Sequence, residues 1–145
     1  MALPKAKQRE IRFLLLYSYI VNPSVDYFDT PIIKLISEQL KVSISYVRNE
    51  EDFFSSFLIH KETLAMQIAR ESEQSYVYER ITTIEKTVLL LISFELIIQK
   101  VEPMKVLLAE AVRLTKKFST ESGVPFVLGV LDAIYKKVDT PIEEK

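Results

Sequence analysis

Residues 82–100 read TTIEKTVLLLISFELIIQK. Thr82 and Glu85 stand as T-x-x-E directly before an apolar run, the spacing of a capping box. From Val88 to Ile98 every residue except Ser93 and Glu95 is apolar. A helix that is apolar nearly all round belongs at the centre of a fold. Its eleven apolar-run residues are too few to cross a bilayer, which takes about 20. The stretch therefore predicts a central buried helix from Thr83 to about Lys100.

Working outward, the flanking segments supply helices to cover it. Pro103 opens one over Met104–Phe118, with Val106, Leu107, Ala111, Val112 and Leu114 inward, and Pro125 opens the last, to about Lys137. Upstream, Ile11, Leu14, Leu15 and Ser18 give Lys5–Ile20 one buried face. NPSVDYFDTP is a loop, and Thr30 before Pro31 is a helix start with a capping hydroxyl. That helix buries Ile32, Ile33, Leu35, Ile36 and Leu40. KVSISYV, residues 41–47, alternates like a strand, but a lone strand has nothing to pair with, so it reads as a connector or frayed helix. Asn49 can cap the next helix, with Glu50, Glu51 and Asp52 in its first turn and Phe53, Phe54, Phe57 and Leu58 on its stripe. A separate helix over roughly 61–71 uses Leu64, Ala65, Ile68 and Ala69. The expectation is an all-α, compact single-domain bundle of about seven helices over 1–145, with flexible ends at 1–4 and 139–145.

The composition excludes much chemistry. Cysteine is absent, which removes disulfides, thiolate nucleophiles and cysteine zinc sites. His60 is the only histidine, so no metal site is expected, and it reads as a surface or helix-end residue. Two glycines cannot build a phosphate-cradling loop, and no serine has a recognisable base. Glu95, inside the central helix, reads either as a structural hydrogen-bond partner or as a base with a burial-raised pKa. No cofactor and no catalysis are expected. A basic, polar N-terminus without an apolar leader fits a cytoplasmic protein.

Net charge is −1, but the charges are segregated. The first twelve residues carry Lys5, Lys7, Arg9 and Arg12 against Glu10 alone, and Arg113, Lys116 and Lys117 form a second basic cluster. Residues 50–79 hold seven acids against two bases. Such segregation suits either ordinary solvated helix faces or two partners of opposite charge.

Three blocks resemble the NusB family of bacterial transcription antitermination factors. REIRFLLLYSY (Arg9–Tyr19) is similar to its first helix, and IEKTVLLLISFEL (Ile84–Leu96) to its central one. Residues 103–134, PMKVLLAEAVRLTKKFSTESGVPFVLGVLDAI, resemble its signature, with the core Phe-Val-x-Gly-Val-Leu-Asp at Phe126–Asp132. Gly129 falls on the glycine of that core, where a missing side chain would let two helices approach closely. Gly123 lies in the bend before Pro125, where a positive φ or tight turn favours glycine.

The resemblance implies binding to single-stranded boxA-like RNA together with the ribosomal protein NusE, within an antitermination complex on RNA polymerase, and no membrane association. It places RNA contacts at Lys5, Lys7, Arg9, Lys116, Lys117, Phe118 and Phe126, and the protein partner at Tyr17, Glu79 and Glu85. Either phenylalanine could offer a stacking face, although at helical spacing phenylalanine is more often core, and Glu85 also serves the capping box. The chain departs from the family pattern at Leu128, Pro125, Ala109, Leu90 and Ser119, each time losing the polar, cationic or glycine residue of the pattern. Those losses leave open an alternative: a helical protein–protein adaptor that keeps the NusE face with weak or lost RNA binding.

Overall fold

The computed structural model describes residues 3–23, 30–72 and 81–143, and among them every regular element is helical. In chain order these are α1 (Lys5–Val21), α2 (Thr30–Leu40), α3 (Ile44–Arg48), α4 (Glu51–Ser72) and α5 (Thr83–Ser93), which continues as a π-helix over Phe94–Gln99. Then come α6 (Met104–Phe118), a 3₁₀ turn at Glu121–Gly123, and α7 (Val124–Glu143). Two compact units divide the chain, Met1–Ile59 and His60–Lys145.

In the second unit, α5 is the buried centre that its sequence predicts. Every residue from Thr87 to Leu96 is buried. The helix packs on α6 and α7, whose buried residues are Leu107, Ala111 and Leu114 on one and Val127, Val130, Leu131 and Ile134 on the other. Both sets recur at three- and four-residue intervals, the spacing of one helical face. Thr82 Oγ1 accepts a hydrogen bond from the Glu85 N–H at 3.1 Å, the expected N-terminal cap. At its other end the helix widens: the Lys100 N–H donates to the Glu95 carbonyl at 2.9 Å, five residues back, and Lys100 takes φ 55°. Lys137 Nζ ties α7 to the end of α4 through Glu71 at 2.9 Å.

In the first unit, α1 buries Ile11, Phe13, Leu15 and Leu16, and leaves Leu14 and Ser18 half-buried. The buried face is thus rotated from the expected one. Helix α2 buries Ile33, Ile36 and Leu40 at i, i+3 and i+7, while Leu35, expected inside, is 63% exposed. Lys41 (φ 59°) ends α2 in the left-handed conformation, and the Val42 N–H reaches back to the Ser37 carbonyl at 3.1 Å. That is a Schellman ending, built on lysine where glycine is usual.

The strand-like KVSISYV segment forms α3 instead, because Ser43 caps it by accepting from the Ser45 N–H at 3.4 Å. Asn49 does not cap α4. Its N–H bonds the Ser45 carbonyl at 3.0 Å, closing α3. The two helices expected on either side of His60 are one, α4, since no glycine or proline interrupts residues 51–72. Helix α7 runs on to Glu143, past the end expected near Lys137.

Neither glycine behaves as its sequence position suggests. No glycine has positive φ, so Gly123 is not there to permit a left-handed turn. A Cβ on Gly129 would meet nothing within 4 Å, and the residue is exposed, so it does not mediate a close helix approach.

Candidate nucleic-acid interface

Two groups of cations carry the expected RNA contacts, one in each unit. In the first, α1 presents Lys5 on an exposed turn, while the Lys7 side chain is 35% exposed and lies 3.4 Å from Glu10 Oε1. Arg9 is a correction. It is only 5% exposed, so a phosphate on the surface cannot reach its guanidinium unless α1 moves.

Beneath that helix lies a polar hub the sequence did not reveal. Glu50, 4% exposed, accepts from Arg12 Nε through Oε1 and from Gln8 Nε2 through Oε2, each at 2.6 Å. The Arg12 guanidinium also lies 4.2 Å from the centroid of the Phe53 ring. Gln8 and Arg12 are four apart on α1, so one carboxylate spans both turns. Each charge-assisted bond of this kind is roughly twice as strong as a neutral one. Glu50 read in sequence as one of three first-turn acids. The signal that distinguishes it is tertiary, namely the apposition of α1.

In the second unit the cations stand on a corner. Lys116 and Lys117 fill the last turn of α6, where the helix dipole favours positive charge. Both are exposed, Lys116 by 50% of its side chain, with Nζ 3.8 Å from Glu121 Oε2. Lys117 Nζ lies 5.8 Å from the Phe118 ring centroid. Phe118 and Phe126 are half-buried, neither sealed in the core nor fully displayed. Only Ser119 and Thr120 separate α6 from the 3₁₀ turn, and the Ser119 N–H bonds the Thr115 carbonyl at 2.8 Å. Pro125 and Gly129 are exposed on α7 beside Phe126 in helical register. Arg113, the third cation of this cluster in sequence, is held by Glu110 through Nε at 2.8 Å and Nη2 at 3.0 Å. It does not join the two lysines as an available cation.

Of the residues expected to meet a protein partner, Tyr17 is half-buried and its ring stacks on Phe13, centroids 6.1 Å apart and 12° between planes. Glu85 is half-buried at the start of α5. Its Oε2 occupies the space that a Cβ on Gly123 would fill, with Cδ 3.3 Å from that position. Gly123 is therefore explained by the carboxylate beside it. Glu79 lies outside the described residues. Among the described residues no group of three or more metal-ligating side chains converges, and no helix is long and apolar enough to cross a membrane.

This arrangement has close counterparts. The chain is similar to the transcription antitermination protein NusB of a Nitratiruptor species, 32% identical over 134 residues that cover 90% of each chain. It is similar to that of Chlamydia pneumoniae, 30% identical over 91% of this chain and 80% of the relative. In three dimensions it matches T. maritima NusB with a TM-score of 0.75 and 23% identity, covering 94% of this chain and 93% of that one. A structure of the antitermination factors NusB and NusE in complex with dsRNA matches with a TM-score of 0.71 and 25% identity, covering 92% of this chain and 96% of that one. The NusB family model matches residues 6–136, through both compact units, and the chain belongs to the NusB family.

Proposed function

We propose that this chain is a transcription antitermination factor that binds boxA-like single-stranded RNA together with the ribosomal protein NusE, by affinity and not by catalysis. The observation that carries the reading is the α6–α7 corner. Two exposed lysines and half-buried Phe118 end α6, and half-buried Phe126 lies in the first turn of α7, on the far side of a short hydrogen-bonded connection. Lysines hold phosphates, and aromatic faces stack on splayed bases. The likeness to a NusB–NusE–dsRNA complex over most of both chains supports RNA and NusE as the partners. Lys5 and Lys7 on α1 add phosphate contacts. Tyr17 in the first unit and Glu85 in the second, with Glu79 outside the described residues, are the positions we assign to a basic ribosomal protein, whose encounter acidic groups steer and orient.

A labelled boxA-like RNA titrated with the protein, with and without NusE and over a range of salt, tests the reading. Binding that weakens steeply with salt, with a slope that Lys116→Ala/Lys117→Ala flattens, is the expected result. Intact NusE association with no RNA binding in either arm would replace it with the adaptor reading. The burial of Arg9 and the half-buried Leu128 in place of asparagine favour that alternative.

A further inference from the structure

The Glu85 carboxylate lies inside the corner that bears the lysines. Its Oε2 fills the Cβ space of Gly123, and that same space is 3.5 Å from Thr115 Cγ2, the residue immediately before Lys116. Thr115 and Gly123 are both buried, so the carboxylate is packed against the junction of α6 and the 3₁₀ turn. Gly123 has no other structural need to be glycine, since its φ is not positive. We propose that Gly123 seats the Glu85 carboxylate as an affinity-limiting charge, which lowers the hold of the Lys116–Lys117 corner on a polyanion.

The inference rests on the RNA-binding reading and adds to it a residue whose removal strengthens binding. Lys116 follows Thr115 directly in the chain, one Cα spacing of about 3.8 Å further on, so at about 0.01 M salt, where the Debye length is about 30 Å, the seated carboxylate is not screened from a phosphate held at Lys116. Like charges at that separation repel enough to change an equilibrium by about two- to five-fold in low salt. Glutamine at 85 removes the charge and keeps both the side-chain length and the backbone N–H that Thr82 caps.

The test uses a fluorescein-labelled single-stranded boxA-like RNA and the full chain. Glu85→Gln is expected to tighten binding about two- to five-fold at low salt, with the gain fading as salt rises. Gly123→Ala places a methyl where Oε2 lies, so the carboxylate must swing towards solvent, where it is screened better. That variant is expected to keep its melting temperature, bind RNA slightly more tightly, and shrink the gain from a further Glu85→Gln. Unchanged or weaker binding by Glu85→Gln, while the wild type binds and Lys116→Ala/Lys117→Ala binds more weakly, overturns the inference alone. No RNA binding by the wild type at any salt overturns the functional reading and the inference with it.

Discussion

The start of α1 and the corner between α6 and α7 both looked, as sequence, like clusters of cations for a phosphate backbone. As structure they differ in where the cations go. On α1, Arg12 is bound to buried Glu50, Arg9 is buried and Lys7 lies beside Glu10. At the corner, Lys116 and Lys117 remain exposed at a helix end that favours positive charge. Counting charges does not separate these cases; the burial of Arg9 and the hydrogen bond that ties Arg12 to Glu50 do.

The largest expected effect breaks the first region from within. Glu50→Ala leaves Arg12 and Gln8 without their acceptor in a largely buried place and is expected to cost about 3 kcal/mol of stability, read by denaturant unfolding. Glu50→Gln should cost less, because it keeps one acceptor. Next, Lys116→Ala/Lys117→Ala is expected to weaken RNA binding about ten-fold at low salt and to lower the salt slope by about 1.4, two single-strand phosphates' worth. A smaller change sharpens the corner itself. Gly129→Ala fills open space on an exposed helix face and is expected to stabilise the fold by about 1 kcal/mol in thermal unfolding. If bases lie along α7 beside Phe126, the same methyl weakens RNA binding. The smallest effect is at a helix end: Lys100→Gly relieves a left-handed lysine and is expected to add about 0.5–1 kcal/mol, read by the same melt.

Much of the fold could be read from periodicity. The all-round apolar run at Val88–Ile98 placed α5 at the centre, and T-x-x-E located its cap at Thr82. Errors gathered where tertiary contact outranks local pattern. Alternation in KVSISYV suggested a strand, but a serine cap and a neighbouring helix made it α3. Asn49 has a good capping side chain, yet it closes the preceding helix. Of the candidate interface, exposure was legible at Lys116 and Lys117, in the last turn of α6, while Phe118 and Phe126 are half-buried. Arg9 was misread because a helical arginine looks the same in sequence whether it faces solvent or the body. The seat of Glu85 on Gly123 was invisible, since nothing in either residue's neighbourhood along the chain points to the other.

The most direct measurement compares the two regions in one RNA titration series over salt, using Lys116→Ala/Lys117→Ala and Lys5→Ala/Lys7→Ala beside the wild type. The corner pair is expected to lower the salt slope by about 1.4 and the α1 pair by less, because Lys7 is less exposed and sits on buried Glu10, whereas the acid near Lys116 is the solvated Glu121. A wild-type protein that binds RNA with a slope untouched by loss of Lys116 and Lys117 would contradict the assignment of the transcript to the α6–α7 corner.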